Sequence, residues 1–307
     1  MQNYKIISLL GKGAYGKVYH AIKLLDGEES KEIALKVFDN VVNPNAIAIL
    51  EQEVNFLRDV SQPKCNPFIV CYYGSMYDET KLQFLIEMEY VEGLDMLKFI
   101  KKLKRTNSPE MVNYYLLLIT KDLAAGLKYI HSKDIIHNDI KPENIIIDKT
   151  YTPRITDFGL SCSPRPAMYS IPFCETRGGT PYYMPPEYFN KGMRYKSSDM
   201  WSLGIALYVC ATGKFPYIVK DFTELANAIK ELPAPQLKTT NDQLNMITNG
   251  LLNKTPSARL TPDLIIEMLT IIPRPPEKAV VPDIAAKVDV PDNLDKIDEL
   301  KIENLKI

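Results

Sequence analysis

The chain has 307 residues, of which 46% are hydrophobic and 24% are charged, and this composition excludes a disordered or fibrous protein. Because 37 Lys and Arg residues are balanced by 38 Asp and Glu residues, the overall charge does not indicate nucleic acid as a partner. No apolar run reaches the roughly 18 residues that a membrane-spanning helix needs, so no membrane span is predicted.

The five cysteines form no Cys-x-x-Cys pair, and their odd number argues against the disulfide framework of a secreted protein. The first ten residues, MQNYKIISLL, lack the small-residue cleavage site of a signal peptide. A reducing cytoplasm is therefore the simplest location, with the nucleus as an open alternative.

Residues 4–38 alternate apolar and polar positions in three runs separated by GKGAYG and LDGEES, which predicts an antiparallel meander. Apolar residues then recur at helical spacing from Pro44 to about Val60. Two further strand-like runs cover residues 69–77 and 81–90. The N-terminal part is therefore predicted to be a small sheet with one helix.

After Gly93 the pattern becomes mainly helical. A Ser-Pro-Glu start predicts an N-cap, a first-turn proline and an acidic first turn for a long apolar helix at 108–131. Residues 160–187 are rich in Ser, Pro, Thr and Gly, and such a long loop inside a compact domain is usually functional. Further helices are predicted at 197–213, 221–230, 240–252 and 261–270.

The chain beyond Ile272 begins with PRPPEKAVVPD, which predicts a linker or a tail on the surface. Its last stretch, LDKIDELKIENLKI, is either a solvated tail or a short amphipathic helix that docks or binds a regulatory partner. We therefore divide the α+β chain into residues 1–91, 92–272 and 273–307.

The sequence GKGAYGKV places Gly11, Gly13 and Gly16 in a turn between strands, where the missing side chains let backbone N–H groups approach a polyphosphate. An ordinary glycine turn is an equally simple interpretation. A dinucleotide-binding fingerprint requires a following helix, whereas KVYHAIKLL alternates as a strand does.

Lys36 lies in the apolar stretch IALKVF, and a buried ammonium group is costly unless an anion pairs with it. The following predicted helix offers Glu51 and Glu53. Glu53 is the better candidate because Leu57 lies one turn further on the same helix face. The alternative is a lysine at a strand edge that extends its amine to water.

Two polar strings, HNDIKPEN at 137–144 and ITDFGL at 155–160, have the spacing found where a hydroxyl is phosphorylated. Asp139 is the candidate to orient the hydroxyl and accept its proton, and Lys141 can neutralise charge on the transferred group. Asn144 and Asp157 supply the hard oxygen ligands that Mg²⁺ prefers.

At this point the sequence resembles the eukaryotic-type protein kinase family, of the serine/threonine type, over about residues 4–272. Besides the strings above, three segments carry the resemblance: GGTPYYMPPE at 178–187, SSDMWSLG at 197–204 and PSARLT at 256–261. The resemblance implies a protein-kinase-like bilobal fold. A small N-terminal lobe would hold an antiparallel sheet with one helix, and a larger C-terminal lobe would be mainly α-helical.

The resemblance also implies roles for single residues. Lys36 and Glu53 would form the pair that holds the ATP phosphates. Glu187 would pair with Arg259. Asp199 would brace the catalytic loop, which is the stretch that contains HNDIKPEN. His137 is interpreted as a packing residue, with proton transfer as the alternative. The residues that would surround ATP are Leu10, Gly11, Gly13, Gly16, Val18, Ala34, Lys36, Met88, Glu89, Val91 and Ile146. By the same resemblance, the adenine would lie between Leu10, Val18 and Ala34 on one side and Ile146 on the other, and its edge would hydrogen-bond to the backbone of Glu89 and Val91.

Asn138 departs from the family, because most members have an Arg before the catalytic Asp. An Asn cannot neutralise a phosphate dianion. We therefore expect that phosphorylation of Tyr169, Ser170 or Thr176 is not the main switch of activity. Pro185 in place of the usual Ala is a milder departure.

Lys141 and Thr180 together favour Ser or Thr over Tyr as the phosphate acceptor. The resemblance therefore implies a protein kinase that uses ATP and Mg²⁺ on protein substrates. A pseudokinase that serves as a nucleotide-binding scaffold and a small-molecule kinase are the alternatives. A dinucleotide oxidoreductase fits less well, since no strand-helix-strand order follows the glycine turn.

Overall fold

In this computed structural model the described residues are 3–13, 16–164, 172–175 and 178–272. The chain divides into two compact units, one that ends at Glu92 and one that begins at Gly93. The tail expected at 273–307 and the candidate phosphorylation sites Tyr169, Ser170 and Thr176 lie outside the described residues.

The first unit is the predicted antiparallel sheet with one helix. Its five strands are hydrogen-bonded in the order β1-β2-β3-β5-β4, and every neighbouring pair is antiparallel. The elements are β1 (Tyr4–Lys12), β2 (Lys17–Leu25), β3 (Glu28–Phe38), α1 (Pro44–Ser61), β4 (Tyr72–Asp78) and β5 (Gln83–Glu89).

Local chemistry explains the connections of this unit. The turn between β2 and β3 is Asp26-Gly27, and both residues have positive φ (52° and 85°), as a tight hairpin turn requires. At the start of α1 the Asn43 side chain accepts a hydrogen bond from the Asn45 N–H, and Pro44 occupies the first turn. Apolar side chains of β3, led by the fully buried Leu35, form the core of the sheet.

The second unit is mainly helical, as predicted, but it also contains short strands. Three strands form one small sheet in the order β6-β7-β8, and two residues each from β9 and β10 pair separately. The elements are β6 (Gly93–Asp95), α2 (Met96–Thr106), α3 (Pro109–Ser132), β7 (Ile145–Asp148), β8 (Pro153–Ile155), β9 (Cys174–Glu175), α4 (Pro186–Lys191), β10 (Met193–Arg194), α5 (Lys196–Thr212), α6 (Phe222–Glu231), α7 (Asp242–Leu251) and α8 (Pro262–Met268).

The long helix α3 begins where the sequence predicts. Ser108 caps it by accepting from the Met111 N–H, and Pro109 occupies the first turn. Helix α5 is buried over most of its length, with Trp201 inaccessible to solvent, and Gly213, with φ of 76°, caps its C-terminal end after Thr212. These two helices contribute much of the core that supports the polar loop between α3 and β7.

Sequence analysis missed helix α2 and the strands β6 to β8. Helix α2 is amphipathic, and Asp95 caps it by accepting from the Lys98 N–H, so a sequence signal was present. Strands of three or four residues are too short to show a period of two.

The expectation against disulfides is wrong for four of the five cysteines. Cys65 and Cys71 form a disulfide in the first unit, with Cα atoms 5.4 Å apart. Cys162 and Cys174 form a second one, with Cα atoms 6.5 Å apart. Cys210 is free and buried, and burial raises the pKa of its thiol. The odd count was a poor guide because folding decides which cysteines become neighbours.

Within the described residues, no helix combines the length and the apolar character needed to cross a membrane.

Candidate active site

The glycine turn of the first unit joins two strands. The Gly13 N–H donates to the Gly16 carbonyl (2.9 Å), and strand β2 starts at the next residue. At Gly16 a Cβ atom would lie 2.9 Å from the Val37 carbonyl oxygen, so only glycine fits there. The strand after the turn removes the dinucleotide-fingerprint alternative, because that motif leads into a helix.

Lys36 and Glu53 form the ion pair that the sequence predicted. The Lys36 Nζ lies 2.7 Å from the Glu53 Oε1, and the two side chains are 13% and 5% exposed. Glu51, the rejected candidate on the same helix, is exposed. A lysine that extends into water is therefore the wrong interpretation, and the pair holds strand β3 to helix α1.

One face of the sheet carries several of the residues assigned to the ATP site. Val18 is opposite Lys36 in the β2–β3 pairing, and Ala34 is opposite Met88 in the β3–β5 pairing. Directly opposed residues share a face, as do residues two apart in a strand. The Lys36 ammonium group therefore lies on the same face as Val18, Ala34 and Met88.

Other residues assigned to the ATP site lie at the ends of strands or in the second unit. Leu10 is 48% exposed on β1, and Gly11 is opposite Val18. The Glu89 N–H donates to the Cys71 carbonyl (2.8 Å), so the adenine contact expected at Glu89 depends on its carbonyl group. Val91 follows two residues later. Ile146 belongs to β7 of the second unit, and its role against adenine stays a prediction.

In the second unit, Asp199 of helix α5 braces the loop that contains Asp139. Its carboxylate accepts the backbone N–H groups of His137 and Asn138, both at 2.9 Å, and lies 2.8 Å from the His131 Nε2. Burial alone would raise the pKa of this carboxyl, but the His131 hydrogen bond and the neighbouring His charges leave the pKa below its usual value. The loop is thereby anchored to the helical core.

Asp139 lies at the centre of a dense polar network. The Asn144 Nδ2 donates to its Oδ2 (2.8 Å) and to its backbone carbonyl (2.9 Å), and the Lys141 Nζ lies 2.8 Å from its Oδ2. Its Oδ1 accepts the backbone N–H of Thr180 (3.2 Å) and the Thr180 hydroxyl (2.8 Å). Lys141 also donates to the Thr180 hydroxyl (2.7 Å). A carboxylate so fixed can orient a hydroxyl and take up its proton.

Asn144 and Asp157 fit the expected Mg²⁺ ligands by their chemistry. Both Asn144 bonds to Asp139 come from Nδ2, so its Oδ1 is the atom left to serve as an oxygen ligand. The Asn144 carbonyl accepts the Thr156 N–H (3.0 Å), which ties the residue before Asp157 to this loop. The described residues contain no cluster of three or more His, Cys, Asp or Glu suited to a metal. Ligation would therefore draw on ATP phosphates and water.

His137 is fully buried and uses both ring nitrogens. Its Nδ1 accepts a hydrogen bond from the Asp139 N–H (3.3 Å). The proton of the ring is therefore on Nε2, which donates to the Thr156 carbonyl (3.1 Å). Its ring packs edge-on against Phe158 at 4.9 Å. These contacts support the packing interpretation and leave no nitrogen for proton transfer.

Glu187 and Arg259 form the pair that the resemblance implied. Two Arg259 nitrogens donate to the two Glu187 oxygens at 2.7 and 2.6 Å, and the Ser198 hydroxyl adds a third bond. Both side chains are almost inaccessible to solvent. The pair fixes helix α4, which directly follows the segment that contains Thr180.

Sequence analysis missed two buried residues next to the catalytic loop. His131 lies in the last turn of helix α3 and contacts Asp199, and Arg194 lies in strand β10 with its guanidinium group beside Gly178. Neither residue belongs to a motif that would have marked it. Their partners are separated from them by 68 and 16 residues, so only the fold reveals the contacts.

Comparisons with known proteins agree with this geometry. The family model for the protein kinase domain matches residues 4–270. CBL-interacting serine/threonine-protein kinase 20 of Arabidopsis thaliana is 29% identical over 87% of this chain and 58% of its own length. Human serine/threonine-protein kinase Nek2 is 30% identical over 87% of this chain and 59% of its own. The Arabidopsis serine/threonine-protein kinase RUNKEL is 33% identical over 85% of this chain, but over only 18% of its own length. The chain thus spans less than two thirds of these relatives.

Proposed function

The chain belongs to the protein kinase domain family, and from this premise we propose that it transfers the γ-phosphoryl group of ATP to Ser or Thr hydroxyls of protein substrates. The observation that carries the proposal is the fixation of the Asp139 carboxylate by Asn144, Lys141 and Thr180. A carboxylate held in this way has the geometry of a base for a hydroxyl nucleophile.

Each side chain has one task in the proposed reaction. The acceptor hydroxyl oxygen forms a bond to the γ-phosphorus, the bond from that phosphorus to the β-phosphate oxygen breaks, and the hydroxyl proton passes to Asp139. Lys141 neutralises charge on the transferred group, and Lys36, oriented by Glu53, binds the phosphates. Mg²⁺ bound through Asn144 and Asp157 would offset the negative charge of ATP. Positioning and charge neutralisation supply most of the rate acceleration.

A preference for Ser and Thr is supported by the contact between Lys141 and Thr180. The lysine donates to the threonine hydroxyl at 2.7 Å, and both side chains converge on Asp139. The names of the relatives, which are serine/threonine kinases, agree with this preference.

We expect activity that does not depend on a phosphate in the loop before Gly178. Asn138 is neutral and buried, and its Nδ2 donates to the Leu160 carbonyl (3.0 Å) and the Cys162 sulfur (3.1 Å). It offers no charge to a phosphate dianion. Phosphatase treatment of the purified protein should therefore leave the rate unchanged, and loss of activity after this treatment would contradict the expectation.

The experiment that tests the proposed function is phosphorylation of a randomised peptide array by the purified protein with Mg-ATP. We expect transfer to Ser or Thr, no transfer without Mg²⁺, and a loss of about 100-fold or more in Asp139→Asn. Asp148→Asn is the matched control, because this carboxylate caps the turn after β7 and contacts none of the site residues above. ATP binding without transfer would favour the pseudokinase alternative. Transfer to small molecules alone would favour a small-molecule kinase.

Cytoplasmic location and a regulatory partner bound through the tail remain proposals that rest on the sequence. Fractionation of cells that express a tagged chain tests the first. Comparison of the 307-residue chain with a chain that ends at Ile272 tests the second, because loss of the tail should change the rate or the partners recovered.

A further inference from the structure

Arg194 is a buried cation that contacts no carboxylate of the residues that the structure describes. Its residue exposure is 1%, although it lies in the two-residue strand β10, where it is opposite Cys174. Among the described residues, no carboxylate oxygen lies within 4 Å of its nitrogens. Burial of an unpaired charge is costly, so this arginine is expected to have a role that offsets the cost.

The contacts of Arg194 are few and specific. Its Nη2 donates to the Gly178 carbonyl (3.1 Å), and its guanidinium carbon lies 4.3 Å from the centre of the Tyr188 ring. The Nε is buried without a hydrogen-bond partner. Burial lowers the pKa of this group, opposed by the charges of Tyr188, Asp199, Glu187 and Asp139. An arginine nevertheless stays charged in proteins.

Arg194 holds a glycine segment that leads directly to Asp139. Gly178 and Gly179 have φ values of 117° and 115°, which residues with a side chain rarely adopt. At Gly179 a Cβ atom would lie 3.1 Å from the Arg194 Nη2 and 3.5 Å from the Asn138 carbonyl. Thr180, the next residue, donates twice to Asp139. The carbonyl that Arg194 binds thus belongs to the residue two positions before Thr180, which donates to the Asp139 carboxylate.

Position 138 supplies no cation of its own. The resemblance implies an Arg at this position in most relatives, where it would bind a phosphate, but here Asn138 is neutral and its Oδ1 is buried without a partner. The cation that position 138 lacks has a buried counterpart in β10, where the Arg194 guanidinium group lies beside Gly178.

On this basis, and resting on the proposed function, we propose that Arg194 is a positioning residue for phosphoryl transfer. Its guanidinium group fixes the Gly178 carbonyl and thereby keeps Thr180 hydrogen-bonded to Asp139. This permanent contact replaces the one between the usual Arg at position 138 and a phosphate group. Because Arg194 is buried, it acts through the segment 178–180 and does not touch the substrates.

The test compares Arg194→Met, Arg194→Lys and the control Arg154→Met in full-length protein with Mg-ATP and a peptide substrate, at a temperature where all are folded. Methionine keeps the aliphatic volume without charge or donors, whereas lysine restores both. Arg154 is a partly buried arginine of the same unit, with a side-chain exposure of 21%, and it pairs with Asp148.

We expect kcat of Arg194→Met to fall by about tenfold or more, with the KM for ATP changed less than about twofold. Arg194→Lys should recover a substantial part of kcat, and Arg154→Met should match the wild type. Equal kcat in the Met and Lys variants, or wild-type kcat in Arg194→Met, would overturn the proposal, because a purely structural role does not depend on charge.

Hydrogen exchange at the Thr180 amide provides a measurement that needs no activity. In Arg194→Met, or in Arg194→Lys if the first variant does not fold, the Thr180 N–H should exchange faster than in the wild type. The Gly213 N–H, which donates to the Val209 carbonyl (2.7 Å), serves as the unchanged reference. Unchanged Thr180 exchange would contradict the positioning role even if the wild type phosphorylates peptides. An inactive wild type with faster Thr180 exchange in the variant would refute the proposed function alone.

Discussion

In the first unit the ion pair of Lys36 with Glu53 connects β3 to α1, whereas in the second unit the Asp139 carboxylate is contacted by the side chains of Asn144, Lys141 and Thr180 and by the Thr180 backbone N–H. The groups around Asp139 are in turn anchored by Asp199 and by the Glu187–Arg259 pair. A connected network fixes a geometry but makes stability depend on every member. We therefore expect loss of Lys36 to act mainly on ATP binding and loss of the network around Asp139 to act mainly on positioning.

The largest effect is expected when the second unit's buried pair is broken by Glu187→Gln. Arg259, whose side chain is 0% exposed, would keep its charge without a carboxylate, and this costs about 3–5 kcal/mol in free energy of unfolding. Denaturant unfolding measures the change. Asp263→Asn is the matched control, because its partner Lys128 is exposed, and it should cost less than about 1 kcal/mol. An equal loss of unfolding free energy in the two variants would show that the buried pair stabilises the protein no more than the exposed one.

The next effect concerns the first unit. Lys36→Met should lower kcat/KM by about 100-fold or more, since the ammonium group assigned to the ATP phosphates is lost. The free energy of unfolding should fall less than in Glu187→Gln, because Lys36→Met removes a side chain that is 13% exposed, whereas Glu187→Gln leaves the charge of the 0% exposed Arg259 side chain without its carboxylate. Lys17→Met, which removes an exposed lysine paired with Asp39, is the control for charge alone. Wild-type transfer by Lys36→Met would show that another lysine binds the phosphates.

The two disulfides allow a direct comparison of the units. Cys162 and Cys174 are 12 residues apart, whereas Cys65 and Cys71 are 6 apart. The Cys162–Cys174 disulfide therefore restricts the unfolded chain more. Loop-closure entropy predicts a loss of about 3 kcal/mol for the Cys162→Ser/Cys174→Ser pair, and about 0.6 kcal/mol less for the Cys65→Ser/Cys71→Ser pair. Thermal unfolding of both double variants under oxidising conditions tests the order. A larger loss from the shorter loop would contradict the entropic account.

The smallest effect is expected at Asp39 in the first unit. Hydrogen bonds from Gln83 and Lys17 hold the pKa of this carboxyl below its usual value. Stability from this group is therefore complete above the unfolded pKa of about 3.9 and is lost as the pH falls through the lower native pKa. Asp39→Asn should be less stable than the wild type near neutral pH and equal to it in acid.

The response to added salt should distinguish the exposed carboxylate of Asp39 from the buried carboxylate of Asp199. The Asp39 side chain is 39% exposed, so added salt should reduce the difference between wild type and Asp39→Asn. The pKa of Asp199 is lowered too, so its contribution to stability is also lost in acid. Because Asp199 is fully buried, added salt should leave that contribution unchanged. A salt-insensitive Asp39 effect would mean that the carboxylate is less exposed in solution than in this structure.

The sequence by itself determined the elements with strong local signals and the site residues that lie within short motifs. Proline and serine at helix starts marked α1 and α3, and alternation marked the sheet of the first unit. Asp139, Lys141 and Asn144 fall within six residues, and Glu53 followed from helix periodicity. These signals could be read because the interacting groups are near in sequence or share one face of a regular element.

Only the tertiary structure decided which distant groups became neighbours. His131 contacts Asp199 across 68 residues, Thr180 contacts Asp139 across 41, and Cys162 is bonded to Cys174 across 12. Arg194 looks like an ordinary surface residue in the sequence, yet packing of β9 and β10 buries it beside Gly178. Such contacts depend on long-range burial and close approach, which no local pattern of residues encodes.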